Sequence, residues 1–264
     1  MQSKKSTAPA LPLLLCLVLT SCATSTRSMT PPDAENSPVK SIHTFRLEYA
    51  NVHVIESRDG ALTLIDSGYE RNASDLEEAL REEGLDPTRI HAVIVTHGHD
   101  DHAGGAPYFR AKREAKVVVG EGDRAMLSTG ENTHICPTGF MGRRLQKSSE
   151  AERYTPYAAD LWITERTPLG RITPGLSGEV LPVAGHTPGH LVVVMGEVAF
   201  VGDLFRGSIV GSSAETHFFM CDLEDNRHDI ETLYETYPEV ETYFTGHFGS
   251  VSREAVAAWL DEQP

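Results

Sequence analysis

Basic residues are scarce in this chain: 23 Lys and Arg face 38 Asp and Glu, for a formal net charge of −15. So negative a chain has no electrostatic route to a phosphate backbone, which excludes nucleic-acid binding as its main role. Cysteine is scarce as well. Four in 264 residues are too few to staple a disulfide scaffold of this length. No Gly-x-Ser-x-Gly elbow is present, so nothing points to a serine nucleophile, and no internal repeat is detectable. The hydrophobic share of 40%, with 22 Gly and 15 Pro, excludes a disordered or collagen-like chain. What remains is a length suited to one large single-core domain or two small ones.

The N-terminal apolar run, Leu11 to Leu19, falls short of the about twenty residues that a bilayer span requires. It follows Lys4 and Lys5 and precedes Thr20-Ser21-Cys22, the layout of an export signal. Leu19-Thr20-Ser21-Cys22 resembles the lipobox of bacterial lipoproteins, which makes residues 1–21 a lipoprotein signal peptide and Cys22 the lipidated residue. The plainer alternative is an ordinary secretory signal. Ala23, where an Asp would resemble an inner-membrane retention signal, places the expected anchor on the periplasmic face of the outer membrane. Residues 22–41 are rich in Ser, Thr and Pro and read as a flexible tether. Export permits a disulfide between Cys136 and Cys221; two buried thiols are the other reading.

Residues 42–264 carry the folded domain. IHTFRLEY, NVHVIES and ALTLID suggest a meander with Arg58-Asp59-Gly60 at a hairpin turn. Ser74-Asp75-Leu76-Glu77 resembles a capping box, and Gly84 supplies a helix stop. The apolar run 90–95 reads as a buried strand that delivers its C-terminal end to a polar loop. Helices are expected around 105–115, 121–128, 225–237 and 252–262, the last capped by Ser252. Strands are expected at 116–119, 178–184, 191–195, 197–202 and 240–245. Residues 130–175 have weaker periodicity and read as an insertion with short helices. The alternation suits an α/β layered fold, two sheets inside and helices outside.

The polar loop after the 90–95 strand reads Thr96-His97-Gly98-His99-Asp100-Asp101-His102, three histidines within six residues. A lone histidine is usually a hydrogen-bonded loop or core residue; this density and spacing are those of a metal site, with a ligand set that suits zinc. His97 and His99 point the same way in extended backbone, Asp101 and His102 follow one turn on, and Gly98 allows a sharp turn between them. Further donors emerge after apolar strands: His186 and His190 in GHTPGH, Asp203 after VAFVG, and His247 after YFTG. Strand C-terminal edges are where α/β folds place their chemistry.

In order and approximate spacing these segments resemble the metallo-β-lactamase superfamily, over roughly residues 42–264. The resemblance implies a four-layer αββα metallo-β-lactamase sandwich with a metal site at one edge. It implies that His97, His99 and His186 hold one metal, that Asp101, His102 and His247 hold a second, and that Asp203 bridges them. Asp66, in LTLIDSG, matches the early strand-end aspartate that orients the histidine loop, and His190 falls on a supporting rather than a ligating position.

Two zinc ions, with iron or manganese as the other candidates, would hold a bridging hydroxide near neutral pH and polarise the carbonyl under attack. Asp101 is the candidate catalytic residue, orienting that hydroxide and carrying a proton to the leaving group. An Asp at position 203 resembles thioester hydrolases and lactonases of the superfamily more than its true β-lactamases, which mostly place Cys or Ser there. The expected enzyme is therefore a metal-dependent hydrolase of a small-molecule ester, thioester or lactone. Alternatives are a β-lactam hydrolase, a mononuclear-iron sulfur dioxygenase, or a non-catalytic lipid-anchored metal-binding protein. Specificity is expected in residues 130–175 and in the loop after Asp203. There Arg143, Arg144, Lys147, Arg153, Arg166, Arg171 or Arg206 would meet an anionic substrate group if any does; a solvated mixed-charge surface is the plainer reading. His134, Tyr154, Tyr157 and His217 are candidate pocket residues whose plainer roles are core or surface.

Overall fold

The computed structural model describes residues 24–29 and 37–262. The expected signal peptide over residues 1–21 and the expected lipidation site Cys22 lie outside the described residues. Among those described, no helix is long and apolar enough to cross a membrane.

Two sheets face each other. The first has seven strands in sequential order: β1 (Thr24–Met29), β2 (Val39–Leu47), β3 (Ala50–Ser57), β4 (Leu62–Ile65), β5 (Ile90–Ile94), β6 (Lys116–Gly120) and β7 (Leu161–Ile163). Strands β1 to β4 pair antiparallel, and β4 to β7 pair parallel. The second sheet contains β8 (Thr167–Pro168), β9 (Glu179–Pro182), β10 (Leu191–Met195) and β11 (Val198–Gly202). After a separate small hairpin of β12 (Arg206–Gly207) and β13 (Ala214–Glu215), the chain returns to it with β14 (Thr242–Thr245) and β15 (Val251–Ser252). Its order is β15-β14-β11-β10-β9-β8.

Both faces of each sheet are covered, so the strands read as continuous apolar runs. Ile42, Ile55, Ile65, Ile94 and Val118 of the first sheet meet Val180, Leu191, Val193, Phe200 and Phe244 of the second. Their sequence neighbours point the other way. Val54, Leu64, Val93 and Val117 pack on Leu76 and Leu80 of α1 (Ala73–Glu82) and on Phe109 of α3 (Ala106–Arg113). Val192, Val194, Ala199 and Val201 pack on Ile230 and Leu233 of α6 (Leu223–Thr236) and on Val256 and Trp259 of α7 (Arg253–Glu262). The short helices α2 (Asp100–Ala103) and α4 (Arg124–Thr129) and the longer α5 (Gly139–Ala151) are the other α-helices among the described residues. The four layers are helix, sheet, sheet, helix.

Three expectations change in detail. Thr24–Met29, read as part of a flexible tether, is an edge strand in antiparallel register with β2. The capping box at Ser74 is absent: α1 starts at Ala73, and Glu77 is buried in ion pairs with Arg81 and Arg113 instead of folding back on the helix start. Residues 130–175 are more than an insertion, because they contribute β7 to one sheet and β8 to the other and carry the chain between them. Periodicity is weak there because those strands are only two or three residues long. The meander, the Gly84 stop and the Ser252 cap, whose Oγ accepts from Ala255 N at 3.3 Å, are as expected.

Candidate metal centre

The candidate residues meet at one edge of the sandwich. The loop after β5 brings His97, His99, Asp101 and His102; the ends of β11 and β14 bring Asp203 and His247; the turn between β9 and β10 brings His186. His97, His99 and His186 form one group of converging donor atoms, and Asp101, His102 and His247 form another. Asp203 stands between them. One oxygen, Oδ2, lies 3.7 Å from His97 Nε2, 3.8 Å from His186 Nε2 and 3.2 Å from His247 Nε2, and Oδ1 lies 3.5 Å from His102 Nε2. All these groups except Asp101 are buried. The approach is close enough that a Cβ on Gly246 would collide with Asp203 Oδ1 and His102 Cε1.

Each ring is aimed by its outer nitrogen. Backbone carbonyls accept from His99 Nε2 (Thr133, 2.7 Å), His186 Nδ1 (Phe219, 3.1 Å) and His247 Nδ1 (Tyr49, 2.7 Å). The Asp66 carboxylate accepts from His102 Nδ1 at 2.8 Å. Thr96 Oγ1 donates to Asp66 at 2.9 Å, so it accepts from His97 Nδ1 at 3.1 Å. A carbonyl or carboxylate can only accept, so the outer nitrogen carries the hydrogen, and in the neutral ring the inner one presents a lone pair. His99 Nδ1 and His186 Nε2 thus face each other at 3.2 Å, two lone pairs with no hydrogen between them. His97 Nε2, His102 Nε2 and Asp203 Oδ1 are buried without a hydrogen-bond partner. A cation reconciles both facts, and the neutral-imidazole and carboxylate set fits a divalent metal.

Electrostatics divide the rings into two classes. Burial, with the neighbouring imidazoles, drives His97 and His186 well below the usual histidine range, and burial lowers His99. Burial opposes charge on His102 and His247 too, but the carboxylates of Asp203 and Asp101, joined at His102 by Asp66, outweigh it and raise both. For Asp203 burial is overcome by His217, His247 and His102, and its carboxyl falls well below the ordinary range. Opposed shifts of this kind cluster at functional sites.

Two supporting residues were not anticipated in these roles. Asp123, buried at the start of α4, accepts from Gly98 N at 2.8 Å, Thr187 Oγ1 at 2.7 Å and Gly189 N at 2.8 Å, tying the two histidine loops together. A lone Asp between a strand and a helix carries no local signal of that duty. His217, whose plainer reading was core or surface, is buried in the site with Nε2 3.1 Å from Asp203 Oδ2. His190 is behind the site, its ring stacked on His97 at 5.2 Å and its Nε2 donating to Val201 O at 2.9 Å.

Several pocket candidates lie elsewhere. Tyr154 and Tyr157 donate to the carbonyls of Gly98 and Ala103 at 2.7 and 2.9 Å and so brace the histidine loop from beneath. His134 is exposed. Arg206 is buried, ion-paired with Glu215 and packed over Phe218, so its charge is already engaged. Gly98 is not in the left-handed region; a Cβ there would press on Met126 and Asp123 at 3.1–3.2 Å, so the constraint is space and not turn geometry. Cys136 and Cys221 form a disulfide, which resolves the two readings left open by the sequence.

The sequence matches the family described as the metallo-beta-lactamase superfamily over residues 46–247. The chain belongs to that superfamily and is a metal-dependent hydrolase of it. It is similar to the probable metallo-hydrolase YflN of Bacillus subtilis (strain 168), 26% identical over 241 residues, 79% of this chain and 84% of that protein. A second Bacillus subtilis (strain 168) relative, the probable metallo-hydrolase YqgX, is 27% identical over 175 residues, 63% of this chain and 74% of that protein. Among solved structures, a metallo-beta-lactamase from Pontibacter korlensis superposes with a TM-score of 0.61 at 18% identity, covering 90% of this chain and 97% of that one. The metallo-beta-lactamase SMB-1 in complex with mercaptoacetic acid gives 0.59 at 16% identity, covering 86% and 81%. These likenesses are of fold.

Proposed function

We propose that the protein hydrolyses an ester, thioester or lactone with two zinc ions, held by His97, His99 and His186 on one side and Asp101, His102 and His247 on the other. Asp203 lies between the two groups of side chains. The observation that carries this reading is the pair of inward lone pairs on His99 and His186 at 3.2 Å, beside an equally unpartnered His97 Nε2. When bound, the cations supply Lewis acidity and ionise water near neutral pH. Asp203 balances their charge. Asp101, the least buried of the seven with 16% of its side chain exposed, is placed to accept a proton from the attacking water and return it to the leaving group.

The surroundings favour a neutral or apolar substrate over a phosphodiester. The exposed large hydrophobic residues include Tyr49, Phe140, Met141, Ile209, Val210 and Leu223. Tyr49 is in the turn whose carbonyl accepts from His247 Nδ1, Phe140 and Met141 are at the start of α5, and Ile209 and Val210 are in the hairpin that follows Asp203. Arg206, the cation closest in sequence to Asp203, is engaged by Glu215. The reading extends to export and to lipid attachment at Cys22, for which loss of membrane sedimentation in Cys22→Ser is the check.

The test is a panel of lactones, thioesters, aryl esters, phosphodiesters and a chromogenic β-lactam, run beside metal analysis. Carbonyl turnover that disappears with chelator and returns with Zn²⁺, at two metals per chain, is the expected result. Full activity in metal-free protein, or turnover of phosphodiesters alone, overturns it.

A further inference from the structure

His217 reaches the centre from a segment unrelated to the strand edges that supply the other donors. It lies between the β12–β13 hairpin and α6, and its Nε2 is 3.1 Å from Asp203 Oδ2. Its ring is perpendicular to that of His186 with centroids 5.1 Å apart, and stacks on His247 at 5.2 Å. His186, Asp203 and His217 form a third group of converging donor atoms, all buried.

The segment is held by residues 136–138. Thr138 N donates to Phe218 O and Met220 N to Cys136 O, each at 2.8 Å, and Thr138 Oγ1 donates to the carbonyl of His217 itself. The Cys136–Cys221 disulfide closes this ladder at one end. Phe219 O, fixed by the ladder, lies 3.1 Å from His186 Nδ1 and 3.3 Å from His217 Nδ1. A carbonyl has two lone pairs and can accept from both rings at once. With Nδ1–H directed at that carbonyl, His217 presents Nε2 inward as His186 does. The Phe219 N–H lies 3.3 Å from the same Nδ1 and would favour the opposite tautomer, with Nε2–H donating to Asp203. A divalent cation within reach of Nε2 selects the lone-pair form, because an N–H directed at a cation is repelled.

Resting on the metallo-hydrolase reading above, we propose that His217 is an additional metal ligand, completing the corner formed by His186 and Asp203 and delivered there by the disulfide-closed ladder. The consequence is a centre with an imidazole more than the strand edges supply. Its metal affinity then depends on a segment far from the histidine loop.

Cobalt substitution of the full-length oxidised protein tests this. Wild type, His217→Ala and His217→Gln are each titrated with Co²⁺, recording the visible d–d spectrum and the affinity against a chromogenic chelator. The expected result is an altered d–d spectrum in both variants with at least about tenfold weaker binding at one of the sites. A spectrum identical to wild type overturns the proposal; if affinity falls with the spectrum unchanged, His217 holds Asp203 by a hydrogen bond and is not a ligand. Circular dichroism identifies a variant that fails to fold, and the other is then decisive. Wild-type protein that takes up no Co²⁺ overturns the metal reading itself, an outcome distinct from unaltered variants of a metal-binding wild type.

Discussion

Asp66 Oδ2 lies 2.8 Å from His102 Nδ1 across 36 residues of chain, and the same carboxylate accepts from Thr96 N at 2.6 Å and Thr96 Oγ1 at 2.9 Å. One buried side chain at the end of β4 therefore fixes the start of the histidine loop and the direction of its last histidine. Replacing it with Ala frees the His102 tautomer and leaves Thr96 N unpaired. Asp66→Ala should weaken metal binding by about 10- to 100-fold, the range for groups that orient ligands. Calorimetric titration with Zn²⁺ checks it, and an affinity within twofold of wild type would falsify the assignment.

Asp123 supports the other side of the centre. Its three accepted hydrogen bonds join the loop carrying His97 and His99 to the turn carrying His186. Bonds to a charged acceptor contribute about 1.5–3 kcal/mol each, and their loss overlaps within one network. Asp123→Ala should therefore cost about 2–4 kcal/mol in denaturant unfolding and also lower metal content. Unchanged stability would show that water or backbone rearrangement replaces the carboxylate at no cost.

The disulfide closes a loop with a sequence separation of 85. Cross-links over loops of this size typically stabilise by about 2–4 kcal/mol, chiefly by restricting the unfolded chain. Cys136→Ser with Cys221→Ser should lower the thermal midpoint by several degrees, as should reductant on the wild type. If reductant leaves the midpoint of wild type unmoved, the bond is absent in solution.

His53 sets a pH limit. It is buried against Phe200 and Phe244, and burial, outweighing the Thr245 carbonyl near its Nε2, pushes its pKa down to about 4. The unfolded chain takes up this proton near pH 6.5 while the folded protein does not, so stability falls as pH drops from about 6.5 to about 4. The loss attributable to this group is at most about 3 kcal/mol. His53→Phe should flatten that part of the stability–pH curve. An unchanged slope between pH 7 and pH 4.5 would assign the effect to the metal-site histidines instead.

The layered fold was legible in the sequence, and the seven donors that converge were picked out by their segments' spacing together with the family resemblance. Period and polarity along β2 to β6 are local properties, and the donor-bearing segments carry their own spacing. Asp123 and His217 were not legible as contributors, because each is one polar residue in a segment without pattern. What recruits them is contact across dozens of residues.

The chain alone determined that His97, His99, Asp101, His102, His186, Asp203 and His247 would stand in the segments that follow apolar strands, since apolar runs buried on both faces must stop where polar side chains begin. Only the tertiary structure decided which nitrogen of each ring faces inward, that Cys136 meets Cys221, and that His217 joins the centre. Those outcomes rest on particular carbonyls (Thr133, Phe219, Tyr49) arriving at hydrogen-bond distance from distant parts of the chain, and residue identity does not encode backbone positions so far apart.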